Sequence, residues 1–172
     1  MVCSALRPIV SFDMRLARLL LFGAALLSTA SNAWADATVF IGTATSPSNR
    51  TTRGFTLGAG LLIVAFEFEY GDTVENLPDA APALRTGMGN VLIQTPFAIA
   101  GFQPYFTTGA GVYRESLGGL SETNFGINNG GGVKISLIGP VRARVDYRVF
   151  SLRGSPIEDT VQRLYVGLNL KF

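Results

Sequence analysis

Histidine is missing from all 172 residues, and its absence removes a set of chemistries at once. A His general base, a His metal ligand and a Ser-His-Asp relay are all excluded. Cysteine occurs once, as Cys3, ahead of the segment read below as a leader, so the chain that remains has neither thiol nor disulfide. Charged residues make up only 15% of the sequence. No apolar run reaches the roughly 20 residues that a membrane helix needs; the longest, Leu19–Leu27, lies near the amino terminus. What is abundant instead is glycine, 20 residues, which suits many short strands rather than a helical membrane protein.

The formal net charge of +2 resides in the first part of the chain. Met14, Arg15 and Arg18 form a basic start, Leu19–Leu27 an apolar centre, and Ala33-Trp34-Ala35 an A-x-A cleavage site, the three parts of a secretory signal. Residues 1–35 are therefore expected to be removed by cleavage after Ala35, with Met14 as the expected true start. Cys3 precedes the apolar centre and is no lipoprotein cysteine. Of the 14 basic and 12 acidic side chains, Arg7, Arg15, Arg18 and Asp13 leave with the leader, so 11 of each sign remain. A neutral domain over 36–172 gives no footing for nucleic acid, whose binding draws on a basic surface.

From Asp36 onward, alternating segments are separated by turn-rich stretches, and eight strands are predicted: Thr38–Ala44, Arg53–Gly60, Leu62–Tyr70, Thr86–Thr95, Phe102–Arg114, Asn124–Ile135, Val141–Phe150 and a last one beginning at Val161. Side chains alternate with period two along a strand. The final strand puts Leu164, Val166, Leu168, Leu170 and Phe172 on one face and Arg163, Tyr165, Gly167, Asn169 and Lys171 on the other. The seventh sets Val141, Ala143, Val145, Tyr147 and Val149 against Arg142, Arg144, Asp146 and Arg148. Four ionised groups on one face cannot lie against lipid, where each costs a few kcal/mol at mid-depth. They must point into a lumen. The third strand repeats the pattern, with Val64, Phe66, Phe68 and Tyr70 opposite Ala65, Glu67 and Glu69.

Four polar loops (45–52, 71–85, 115–123, 151–160) are expected at one end and three shorter connections (60–61, 96–101, 136–140) at the other. An even number of antiparallel strands with that asymmetry predicts an all-β fold, an eight-stranded antiparallel up-and-down transmembrane β-barrel, closed because hydrocarbon tolerates no unpaired edge. Tyr165, Gly167, Leu170 and Phe172 resemble the terminal signature of bacterial outer-membrane barrels, which the insertion machinery reads. Residues 104–114, 130–134 and 141–148 likewise resemble the fifth to seventh strands of the small outer-membrane β-barrel family, relatives of the OmpA transmembrane domain and OmpX. The resemblance implies a bacterial outer-membrane location, contact with membrane lipid and lipopolysaccharide, assembly by the barrel machinery, and a monomer. The resemblance departs from full-length OmpA in the sequence's ending at Phe172, so no soluble peptidoglycan-binding domain is expected to follow and wall anchoring is not implied.

Because strands three and seven stand on opposite walls of an eight-stranded ring, Glu67 and Glu69 are expected to reach Arg142, Arg144 and Arg148. With Asp146 and Arg163 they would form a lumenal ion-pair network, to which Lys134 and Arg114 add positive charge. Tyr70, Tyr105, Tyr113, Tyr147, Phe150 and Phe172 are expected to form an aromatic girdle. A plugged lumen in a structural or surface-interacting protein is the first reading, with loops 71–85 and 151–160 as contact surfaces. A narrow pore for ions or small solutes is the second, and a soluble periplasmic lipid-binding barrel, which would need an apolar interior, the third. An enzyme is not expected. Outer-membrane lipid A deacylases and palmitoyltransferases, similar in length, use a catalytic histidine, and Glu67 with Glu69 lacks a cleft that would make them a catalytic pair. No cofactor or metal is called for.

Overall fold

A computed structural model describes residues 33–172. Eight strands follow one another: β1 (Ala33–Ala44), β2 (Arg50–Leu61), β3 (Val64–Thr73), β4 (Ala83–Gln94), β5 (Phe102–Leu117), β6 (Leu120–Ile138), β7 (Val141–Leu152) and β8 (Thr160–Lys171). Each is antiparallel to the next, and β1 pairs with β8 from Asp36↔Lys171 to Ala44↔Arg163 to close the barrel. Most of the leader lies outside the described residues. Ala33, Trp34 and Ala35 are the first residues of β1, opposite Leu61, Gly60 and Ala59.

Period-two alternation decides which side chains enter the barrel. On β8, Val161, Arg163, Tyr165 and Asn169 are buried while Leu164, Val166, Leu168 and Leu170 face out. On β7, Arg142, Arg144, Asp146 and Arg148 are all buried inside. The interior carries most of the buried polar and charged side chains and the exterior is apolar, the reverse of a water-soluble domain.

The facing of β5 is ambiguous in the sequence, where Arg114 alone argues for the even positions inside. The odd positions, Gln103, Tyr105, Thr107, Tyr113 and Glu115, face inward, and Arg114 faces out, where it donates to Ser121 Oγ at 2.9 Å. Glycine placement explains the register. A Cβ at Gly109 would come 2.0 Å from Asn90 Oδ1, and one at Gly111 2.0 Å from the Gly87 carbonyl oxygen, so the odd face is the crowded one. The same parity moves Tyr105 and Tyr113 from the expected girdle into the lumen, and Phe150 joins them; Tyr70, Tyr147 and Phe172 remain outside.

The expected loop 115–123 is also strand. Glu115↔Glu122, Ser116↔Ser121 and Leu117↔Leu120 are paired around Gly118-Gly119, whose φ values of 57° and 89° give the two-residue turn that matches strand twist. On the other side β6 first pairs with β7 at Gly126↔Leu152, and the Phe125 carbonyl still accepts the Arg153 N–H at 3.0 Å, so the margin of the projecting ribbon outside that pairing is residues 120–124. Polar side chains alone made this segment read as loop. The ends of the barrel are thus a turn end, with connections 62–63, 95–101 and 139–140, and a loop end, with 45–49, 74–82, 118–119 and 153–159.

Candidate functional site

The interior is filled in layers, since eight strands enclose only enough room for side chains. At the turn end, Asp36 of β1 faces Lys134 of β6 and Arg142 of β7. Lys134 Nζ and Arg142 Nη2 both bond Asp36 Oδ2, at 2.6 and 3.3 Å. Arg142 also donates to Asn169 Oδ1 at 2.8 Å and Gln103 Oε1 at 2.9 Å. The Trp34 ring lies 4.8 Å from Lys134 Nζ, a cation–π contact.

The central layer joins opposite walls. Glu67 of β3 receives Arg144 through both carboxylate oxygens and Arg148 Nη2 at 2.8 Å. Asp146 bridges the same two arginines, each at 2.9 Å. Glu69 lies 2.9 Å from Arg148 Nη1, by distance rather than hydrogen-bond alignment, and accepts from Arg163 at 3.0 Å. Tyr105 donates its hydroxyl hydrogen to Asp146 and accepts from Arg144 Nε at 2.7 Å. Tyr165 stacks on Phe40 with centroids 4.1 Å apart. Three guanidiniums therefore meet three carboxylates, all essentially without solvent exposure. Groups so buried are tolerable only when paired and hydrogen-bonded.

Above this layer the lumen turns apolar. Ala44, Leu84, Met88, Tyr113, Phe150, Leu152 and Val161 form one buried cluster, and Arg163 lies 4.4 Å over the Phe150 ring. At the rim, buried Arg50 donates to the carbonyls of Pro82 and Ser46, tying two loops across the mouth. The Tyr113 hydroxyl donates to the Arg153 carbonyl at 2.6 Å.

Of the residues singled out in the sequence, Glu67, Glu69, Arg144, Asp146, Arg148 and Arg163 come together in the central layer. Arg142 does not join them; it belongs with Asp36 at the turn end, and Arg114 is outside altogether. Of the terminal set, Tyr165 is buried in the lumen, whereas Leu170 and Phe172 face outward. Asp36, Tyr105 and Tyr165 were not foreseen as network members. The acidic residue of β1 sits next to the expected cleavage site, and tyrosine fits a lumen and a girdle equally well.

No family model matches the sequence, and no curated protein matches it. Solved structures do match in fold. Neisserial surface protein A (NspA) superposes with a TM-score of 0.65 at 18% identity, covering 83% of this chain and 98% of that one. The N-terminal β-barrel domain of Pseudomonas aeruginosa OprF gives 0.61 at 17% identity, over 82% and 98%. The outer membrane enzyme PagL gives 0.51 at 14%, over 78% and 98%. The chain thus has the closed, eight-stranded, up-and-down fold of small outer-membrane barrels. At these identities the likeness is one of architecture.

Proposed function

We propose that this protein resides in the bacterial outer membrane as an integral barrel, exported by a leader that is cleaved after Ala35, with its lumen closed by the ion-pair network and its loop end carrying surface contacts. The observation that carries this reading is the inverted section of the barrel: six ionised side chains paired in the centre, surrounded by an outward belt that includes Phe66, Phe106, Val166 and Leu168. Water would not select such a belt, and hydrocarbon would. The barrel acts as a monomer in contact with lipid and lipopolysaccharide, and its terminal Tyr165, Gly167, Leu170 and Phe172 serve the assembly machinery. Its role is structural and interactive rather than enzymatic.

A specific observation favours a second reading, a low-conductance pore. At the turn end Lys134 and Arg142 share the single carboxylate of Asp36, leaving a positive excess at that mouth. The third reading, a soluble carrier for lipid, is opposed by the charged interior. The test is conductance of the refolded 36–172 chain in a planar bilayer, after heat-dependent gel mobility has established folding. A folded, silent barrel is expected. Regular anion-selective openings that vanish on Arg144→Gln would replace the closed lumen with a pore.

A further inference from the structure

We propose that the rim pocket between the β5–β6 ribbon and the 153–159 loop binds an organic cation, an ammonium or guanidinium group carried on an apolar stem. This gives the surface-interaction reading a ligand class and rests on that reading in taking the loop end to be the solvent-facing one. Glu115 and Glu122 are direct partners in the antiparallel register, so both project from the same face of the ribbon. Like charges placed directly opposite one another repel. Among the described residues neither has a basic group within 4.0 Å. The guanidinium whose field reaches Glu115, that of Arg50, donates through its two Nη atoms to the carbonyls of Pro82 and Ser46, while its buried Nε has no partner.

The two carboxylates differ in environment. Glu122 is exposed and accepts from Asn124 Nδ2. Glu115 is only 5% exposed; its Oε2 accepts from the Ile157 N–H at 3.1 Å, and its Oε1 is buried without a partner. A buried carboxylate oxygen left unpaired is costly, and a cation entering beside it would relieve both that cost and the repulsion. The space is present. Glu115, Glu122, Leu117, Leu120 and Ile157 line a cavity of about 270 Å³, about nine water volumes at roughly 30 Å³ each.

The lining selects the kind of cation. Among the described residues no three acidic side chains converge as they would around a metal ion, and calcium asks for six to eight oxygens. Leu117 and Leu120, also direct partners, instead offer an apolar wall to a hydrocarbon stem. A free amine and the lysine side chain of a polypeptide share this chemistry.

The experiment is a titration of the folded chain in lipid nanodiscs, followed by amide chemical shifts in NMR. The probes are n-butylammonium, n-butanol, butyrate and calcium chloride. Saturable shifts at the Leu117, Leu120 and Ile157 amides with n-butylammonium alone are expected, and Glu115→Gln and Glu122→Gln should each weaken binding at least tenfold. Asp79→Asn, on another loop, should leave it unchanged. Because Glu122 is exposed, its variant keeps the test open if Glu115→Gln fails to fold. A tripeptide, acetyl-Leu-Lys-Leu-amide, binding more tightly than n-butylammonium would assign the site to polypeptide partners; equal or weaker binding would assign it to free amines. Equal shifts with butanol, preferential shifts with calcium, or none at these amides would overturn the proposal. Such a failure leaves the membrane reading and its conductance test untouched.

Discussion

Replacing Glu67 by Gln removes one negative charge and almost no volume from the centre of the barrel, and the loss of stability should be large. Glu67 engages Arg144 through two contacts and Arg148 through one. Without it, Arg144, Arg148 and Arg163 face only Glu69 and Asp146, and the centre carries an uncompensated positive charge. The new amide also turns N–H groups toward guanidinium N–H groups. Breaking a buried pair by neutralising one partner costs about 3–5 kcal/mol, most of it the penalty of the stranded charge. With a urea slope of about 2 kcal/mol per M, the unfolding midpoint in lipid vesicles should fall by about 2 M. Gel mobility is the suitable readout, because the one tryptophan, Trp34, lies within the expected leader. Glu67→Lys should lower the midpoint further. In a double-mutant cycle with Arg144→Gln, the coupling should reach about 0.5–3 kcal/mol. An unchanged midpoint for Glu67→Gln would falsify the closed network as a source of stability.

Three further outcomes are expected. Val166→Arg places a charge on the outward face of β8, where the side chain is 54% exposed; a lipid-facing position should lose about 2–4 kcal/mol, and a loss below 0.5 kcal/mol, as on a water-facing surface, would refute the membrane belt. Phe172→Ala trims the last residue, which is 74% exposed, so refolding in vitro should be unaffected while the yield of assembled barrel in cells falls; equal yields would remove Phe172 from the assembly signal. Intact mass of the exported chain should correspond to a start at Asp36, and a species retaining Trp34 would move the cleavage site upstream.

The fold was legible because the alternation of β3, β7 and β8 has only one reading once charge is considered. A strand bearing Arg142, Arg144, Asp146 and Arg148 on one face and valines on the other allows no choice of side. β5 gave no such lever. Its glycines, threonines and aromatics suit either face, and Arg114 pointed to the wrong one because a charge near a strand end can clear the apolar belt without entering the lumen. Only the close approach of β4 to Gly109 and Gly111, a tertiary fact, fixes its register. The ribbon at 115–123 was hidden for a related reason. Polarity marks a loop within a membrane barrel but says little once strands extend past its rim, and the Gly118-Gly119 pair was the turn signal that polarity obscured. Arg142 was separated from Glu67 by depth along β7, which face alternation does not encode.

Charge balance separates the two roles assigned to acidic residues. In the centre, three carboxylates meet three guanidiniums across the lumen, so neutralising Glu67 can only unbalance the barrel. At the rim, Glu115 and Glu122 oppose one another without a cation of their own, so neutralising Glu122 removes a repulsion. The two substitutions should therefore act in opposite directions on both observables. Glu67→Gln should lower the urea midpoint and, in the fraction that remains folded, bind n-butylammonium as the parent does. Glu122→Gln should raise the midpoint slightly and lose the cation. If both carboxylates merely helped to hold the barrel together, both variants would be less stable and neither would show a selective binding defect. If the rim pair were instead neutral through proton uptake, Glu122→Gln would leave both the midpoint and the affinity where they were. The crossed pattern would thus tie the paired centre and the open rim to one electrostatic cause, the presence of opposite charges in the first and the lack of a cation within salt-bridge distance in the second.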